Sequence, residues 1–158
     1  MVLLACYVTW TAGRLDRMHA RVDAAWAALD AQLVRRAAAA RALVPLLPPE
    51  PEAARLGRAA HHALEAGQTG RDTVENDLSR ALRAAAPMLQ ASPEAAGVRA
   101  ELETAASRVA LARSFHNSAV NDTRALRRRR LPRALRLAGH RALPVGFDID
   151  DTALVEWL

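Results

Sequence analysis

Two series of apolar residues, each with a step of seven, follow the first Arg of the chain. They consist of Leu15, Val22 and Leu29, and of Trp26, Leu33 and Ala40. This spacing places both series on one face of an α-helix and predicts a buried a/d seam. Arg36 interrupts the pattern, which argues against a long regular coiled coil. The sequence therefore predicts a helix over residues 15–44 that packs against other helices.

Prolines and glycines then divide the chain into further helical stretches. Four prolines lie between residues 45 and 51, and a proline ring removes a backbone donor, so the first helix ends there. We predict further helices over about residues 52–66 and 72–89, with Pro87 ending or kinking the third. In ASPEAAGVRAEL, Ser92 is a candidate cap, Pro93 suits the first helical position and Glu94 complements the helix dipole, which predicts a fourth helix to Arg128.

The composition and the short connections favour one architecture. The 158 residues include 37 alanines, the strongest helix former, and no stretch shows the alternation of a strand. Short connections favour antiparallel neighbours, so we predict an all-α, antiparallel up-and-down four-helix bundle with a long first helix. In that topology the first and fourth helices are adjacent, and their heights place Trp26 and Phe115 in one core layer.

The opening MVLLACYVTWTAG is apolar and precedes the first charge. Its thirteen residues reach about 20 Å as a helix, against about 30 Å for the hydrocarbon core of a bilayer. Tyr7 and Trp10 lie near the charged end, as in an interfacial belt, and Arg14 follows. We predict a membrane anchor over residues 1–13, the cytoplasmic half of a single-pass span whose start lies upstream of Met1. A bundle over residues 14–128 then faces the cytoplasm, and residues 129–158 form a basic and then acidic tail.

Positive charge is concentrated after the predicted bundle core. Every one of the 22 basic residues is Arg, and residues 107–141 contain ten of them with a single acid, Asp122. The segment 127–143 reads as a basic amphipathic helix, which is typical of membrane surfaces. Its candidate lipid or partner contacts are Arg127, Arg128, Arg129, Arg130, Arg133 and Arg136. The alternatives are nonspecific nucleic-acid binding by residues 127–141 and a merely solvated helix face.

Short motifs give no support for catalysis. FDIDDT, residues 147–152, resembles the D-x-D-x-T motif of haloacid-dehalogenase-type phosphatases, in which the first Asp is the nucleophile. No βα pattern accompanies it, so we interpret it as part of an acidic disordered tail. Cys6 is the only cysteine, and the five histidines have no partner at metal-ligand spacing. We therefore expect no catalytic, metal or cofactor site, no small-molecule substrate, and histidines at the surface or its boundary.

Two blocks of the sequence resemble the LemA family. The stretch RVDAAWAALDAQLVRR matches the family pattern R-V-D-x-A-W-x-x-L-D-x-Q-L-x-R-R, and ELETAASRVALARSFHNSAV is similar to E-L-x-x-T-E-N-R-I-A-x-A-R-x-x-Y-N-x-A-V. The matching polar and aromatic residues are Asp23, Trp26, Asp30, Gln32, Arg35, Arg36, Arg108, Arg113 and Asn117. Ala106 and Ser107 replace the family's Glu-Asn, His116 replaces its Tyr, and the family's Gly-Phe-rich C-terminal region differs here.

The resemblance implies a helical bundle with an N-terminal membrane anchor and no established catalytic activity. We accordingly expect a membrane-tethered scaffold whose partners are lipid and an unidentified protein, with nucleic acid as the less favoured alternative. Asp23 and Asp30 lie seven apart beside the seam. We predict that they form inter-helix ion pairs with Arg108 and Arg113 that fix the register of the first and fourth helices. A partner-binding face is the functional alternative for these residues.

Overall fold

The computed structural model describes residues 2–128 and 142–150. In that part of the chain it contains four α-helices and no strand, which confirms the predicted all-α fold. The helices are α1, Val2–Leu43, α2, Pro51–Glu65, α3, Arg71–Ala91, and α4, Ala96–Arg128. The first helix is long, as predicted, but it begins at Val2 within the N-terminal apolar segment and not near Leu15.

The helix ends follow the expected backbone chemistry. After α1 a single 3₁₀ turn, Val44–Leu46, contains Pro45, and α2 begins with Pro51 at its first position. Pro87 lies inside α3, which continues to Ala91, so of the two alternatives for this proline an early end of the helix is wrong. The predicted cap at Ser92 is also wrong, because its hydroxyl donates to the Met88 carbonyl at 3.0 Å and closes the end of α3 instead.

Residue contacts divide the chain into two compact units. Unit 2 contains residues 29–112, and therefore the C-terminal part of α1, all of α2 and α3, and the N-terminal part of α4, together with residues 148–150. Its core is aliphatic and small, since alanines fill the spaces between leucines. The largest fully buried apolar side chains are Leu29, Leu33, Leu43, Leu56, Leu78, Leu82, Leu89, Leu102 and Val109.

Among the described residues, unit 1 contains 2–28, the N-terminal part of α1, 113–128, the C-terminal part of α4, and the segment 142–147. Val22 of α1 packs against Ala119 and Val120 of α4. Arg21 pairs with Asp122 at 3.7 Å, and the ring of Trp26 contacts His116. In these contacts, residues further along α1 meet residues earlier in α4. The two helices are therefore adjacent and antiparallel within this unit.

Replacement of Gly70 by alanine is expected to lower the free energy of unfolding by about 1 kcal/mol, because an L side chain is disfavoured in the left-handed region. Gly70 has φ +72° at the start of α3, and a Cβ there would meet open space, so the cost comes from the backbone alone. Gly67 supplies the matched control, because it also has free space but no positive φ. Urea denaturation of both alanine variants checks this, and equal stability would contradict it.

Candidate functional site

A buried ionic network lies between α1 and α3 of unit 2. Arg36, which interrupts the seam in the sequence, is 0% exposed, and Glu75 of α3 is equally buried. Nη2 of Arg36 donates to Oε2 of Glu75 at 2.7 Å and to its backbone carbonyl at 3.1 Å. Nε of Arg71 donates to Oε1 of the same carboxylate at 3.0 Å, one turn earlier on α3. Glu75 therefore binds two guanidinium groups at once.

Further contacts connect the network to its surroundings. Nη1 of Arg71 donates to the Ala66 carbonyl at 2.6 Å and lies 3.2 Å from Oδ1 of Asp30. The four charges, two guanidinium groups and two carboxylates, balance. In the described part of the chain, Nε of Arg36 and Nη2 of Arg71 are buried without a hydrogen-bond partner. Such a network fixes the register of two helices, since any shift would leave buried charge uncompensated.

The predicted ion pairs between α1 and α4 are corrected by this geometry. Asp30 does pair across helices, but its partner is Arg71 of α3. Asp23 and Arg108 are exposed, and neither forms an ion pair among the described residues. Arg113 is half-buried. The prediction failed because α3 carries the partner, and the family motif contains no α3 residue.

Three family-motif residues line one groove of unit 2. Gln32 and Arg35 of α1 and Arg108 of α4 surround a cavity of about 590 Å³. Five alanines also line it, Ala38, Ala39, Ala42, Ala100 and Ala105, together with Glu101 and Thr104. The lining of the groove therefore combines apolar methyl groups with charged and polar side chains.

Trp26 forms the centre of an aromatic cluster in unit 1. Its ring makes edge contacts with His116 and with Phe147, each with 5.5 Å between centroids. Phe115 is 61% exposed, so the prediction that Trp26 and Phe115 share a core layer is wrong. The α4 residue that contacts Trp26 is His116, one position after Phe115. Adjacent residues point about 100° apart on a helix, so Phe115 faces away from this contact. His116 and His19 are both buried, which also corrects the expectation for the histidines.

Residues 142–150, the described part of the chain after α4, pack against helical residues. In unit 1, Asn117 clamps the backbone of Phe147, since its amide donates to the carbonyl at 2.9 Å and its oxygen accepts from the amide at 2.8 Å. In unit 2, the Asp150 carboxylate contacts Arg83 at 2.9 Å, and Ile149 is buried. The expected disordered tail is therefore wrong for residues 142–150, while residues 151–158 lie outside the described residues.

The N-terminal turns of α1 present apolar side chains to solvent. Trp10 is 57% exposed, and Val2 and Tyr7 are exposed as well. The Arg14 guanidinium lies over the Trp10 ring at 5.5 Å from its centroid. The hydroxyl of Thr9 donates to the Ala5 carbonyl at 3.0 Å, within the same helix. This surface joins an aromatic ring and a cation at one end of an apolar helical segment.

The basic segment is only partly described. Arg127 and Arg128 form the last turn of α4, where Nη1 of Arg127 donates to the Ala142 carbonyl at 2.8 Å. Arg129, Arg130, Arg133 and Arg136 lie outside the described residues. The predicted amphipathic helix over residues 127–143 is therefore wrong at residues 142 and 143, which are not helical, and stays a prediction for residues 129–141.

Several important residues escaped sequence analysis, and some left a signal. Glu75 shares a helical face with Leu78, Leu82 and Leu89, so it is a charged residue in an apolar stripe. Arg36 breaks the α1 seam in the same way, and two opposite charges at core positions indicate a buried pair. His116 likewise lies on the apolar face of α4, seven residues after Val109 and three before Ala119. For Phe147 no such pattern exists, because an isolated aromatic outside a helix has no periodic context.

Comparisons with protein families, with characterised proteins and with solved structures find no match for this chain. Among the described residues, no helix combines the length and apolar character needed to cross a bilayer. The same residues contain no group of three or more His, Cys, Asp or Glu side chains placed to hold a metal ion.

Proposed function

We propose that this protein is a membrane-tethered helical scaffold of the LemA type, which faces the cytoplasm and binds lipid and a protein partner without catalysis. The observation that carries the proposal is the uncovered apolar surface at the N-terminal end of α1. Val2, Tyr7 and Trp10 expose large apolar areas there. Large apolar side chains exposed together on one helical segment favour contact with a membrane or a partner.

Three features favour lipid as the contact. The exposed Tyr7 and Trp10 suit the headgroup level, where aromatic rings with one polar atom are enriched. Arg14 and Arg17 follow on exposed positions and suit anionic headgroups, and positive charge beside an anchor favours the cytoplasmic side for the helices. The Thr9 hydroxyl satisfies its hydrogen bond inside the helix, which lowers the cost of leaving water.

Sedimentation with lipid vesicles tests the tether. We expect binding to vesicles containing phosphatidylglycerol and weaker binding to phosphatidylcholine alone. The double variant Tyr7→Ser with Trp10→Ser should weaken binding roughly tenfold, because interfacial aromatics and the apolar area around them supply the attachment. Phe115→Ser is the matched control, since it also removes an exposed aromatic of unit 1, and we expect no change.

Three other outcomes of the binding experiments would count against the tether or favour another function. Failure of the full chain to bind either vesicle would refute the tether. Equal loss with Phe115→Ser would show that binding does not use the N-terminal surface. Salt-sensitive binding to duplex DNA without vesicle binding would favour the nucleic-acid alternative through residues 127–141. The protein partner is sought by crosslinking in native membranes.

A further inference from the structure

Residues 142–147 of unit 1 form an extended segment, here called the strap, that lies along α4. Besides the Asn117 clamp on Phe147, three α4 side chains bind carbonyls of the strap. Nε2 of His116 donates to Val145 at 3.3 Å, Nε of Arg124 donates to Pro144 at 2.7 Å, and Arg127 donates to Ala142. Among the described residues, no backbone–backbone hydrogen bond holds the strap. Side chains of α4 therefore recognise its main chain.

Side-chain recognition by the same face is restricted to one position. Phe147 is the buried side chain of the strap and contacts the Trp26 ring, whereas Leu143 and Val145 are exposed. A Cβ at Gly146 would approach Oδ1 of Asn117 to 3.1 Å, so any other residue there requires the Asn117 side chain to shift. The face therefore favours an extended backbone that carries a glycine followed by an aromatic residue.

We propose that this face of α4, with Trp26, is a receptor for an extended Gly-aromatic segment of a partner protein, and that the strap occupies it in cis. Backbone-directed hydrogen bonds combined with one side-chain pocket are the usual means of recognising extended peptides. Every bond to the strap's main chain is available to any segment of the same shape. The site lies within unit 1 and involves no lipid, so this proposal stands or falls independently of the membrane tether.

The strap determines how tightly such a partner must bind in order to displace it. A segment joined to its own receptor has an effective concentration in the millimolar range, so a free peptide must compete against it. The apparent affinity for a partner is lowered by the fraction of receptor that the strap occupies. Release of the strap then exposes the Asn117 clamp and the Trp26 ring together.

Binding of a labelled peptide, ALPVGFD, to the full chain tests the proposal by fluorescence anisotropy. Phe147→Asp removes the strap's anchor, because a carboxylate is costly against the Trp26 ring. We expect this variant to bind the peptide roughly tenfold or more tightly than the unaltered chain, since the cis competitor is removed. Leu143→Asp adds the same charge at a position that is 56% exposed and should leave peptide binding unchanged.

Two further variants in the Phe147→Asp chain locate the peptide. Asn117→Ala should weaken binding roughly tenfold, because two hydrogen bonds to the peptide backbone are lost. Asn121→Ala changes an exposed asparagine one turn further along α4 and should have no effect. A peptide with Ala in place of its Phe should not bind.

Three results would overturn the proposal. The first is a helical Phe147→Asp chain that binds no peptide, and the second is binding that is indifferent to Asn117→Ala. The third is a dimer of the unaltered chain that Phe147→Asp dissociates, which would make the strap of a second copy the occupant. If Phe147→Asp does not fold, Phe147→Ala is used, with a smaller gain in the same direction expected and the absence of any gain counting against the proposal.

Discussion

Glu75→Ala is expected to lower the free energy of unfolding by about 3–5 kcal/mol, because it leaves two buried guanidinium groups without their shared carboxylate. Arg36 and Arg71 both donate to Glu75, and all three side chains are buried. Urea denaturation monitored by circular dichroism measures the effect as a shift of the midpoint.

The matched control is Asp77→Ala on the same helix. Asp77 pairs with Arg80 at the surface, where an ion pair contributes about 0–1 kcal/mol, so we expect little change.

A second comparison separates the effect of the buried charges from the effect of side-chain volume. Replacing Arg36, Arg71 and Glu75 together by leucine or methionine should cost much less than Glu75→Ala, since no buried charge then remains. A loss below about 1 kcal/mol for Glu75→Ala would contradict the structural role of the network.

Trp26→Ala should destabilise the protein by about 3 kcal/mol, because it removes the ring between His116 and Phe147 and leaves a cavity between α1 and α4 of unit 1. The same urea titration measures it. Phe115→Ala is the control. It distinguishes a core in which Trp26 packs against Phe115 from the described packing of Trp26 against His116 and Phe147. An exposed Phe115 predicts a change within about 0.5 kcal/mol. A larger loss for Phe115→Ala than for Trp26→Ala would contradict the described packing.

The spacing of apolar residues and the backbone chemistry of proline and glycine were sufficient to predict the helices. The apolar repeats of α1 to α4, the prolines after residue 44 and the glycines before α3 are local signals, and each acts within a few residues. The predicted ends therefore lie within a few residues of the observed ends, except at the N-terminus of α1, where the anchor and the bundle helix are continuous. The early end at Pro87 is not observed, and the helix continues past it to bury Leu89.

The functional residues depended on contacts between segments that are distant in sequence. The sequence marked Asp30 and Arg36 as unusual, but α3 supplies their partners, and no local pattern joins residues 36 and 75. In the same way, Asn117 is a family-motif residue whose bonds to Phe147 cross 30 positions. Which polar groups pair is decided when burial removes them from water, because an unpaired charge or amide is then costly and only the folded chain determines what lies within reach.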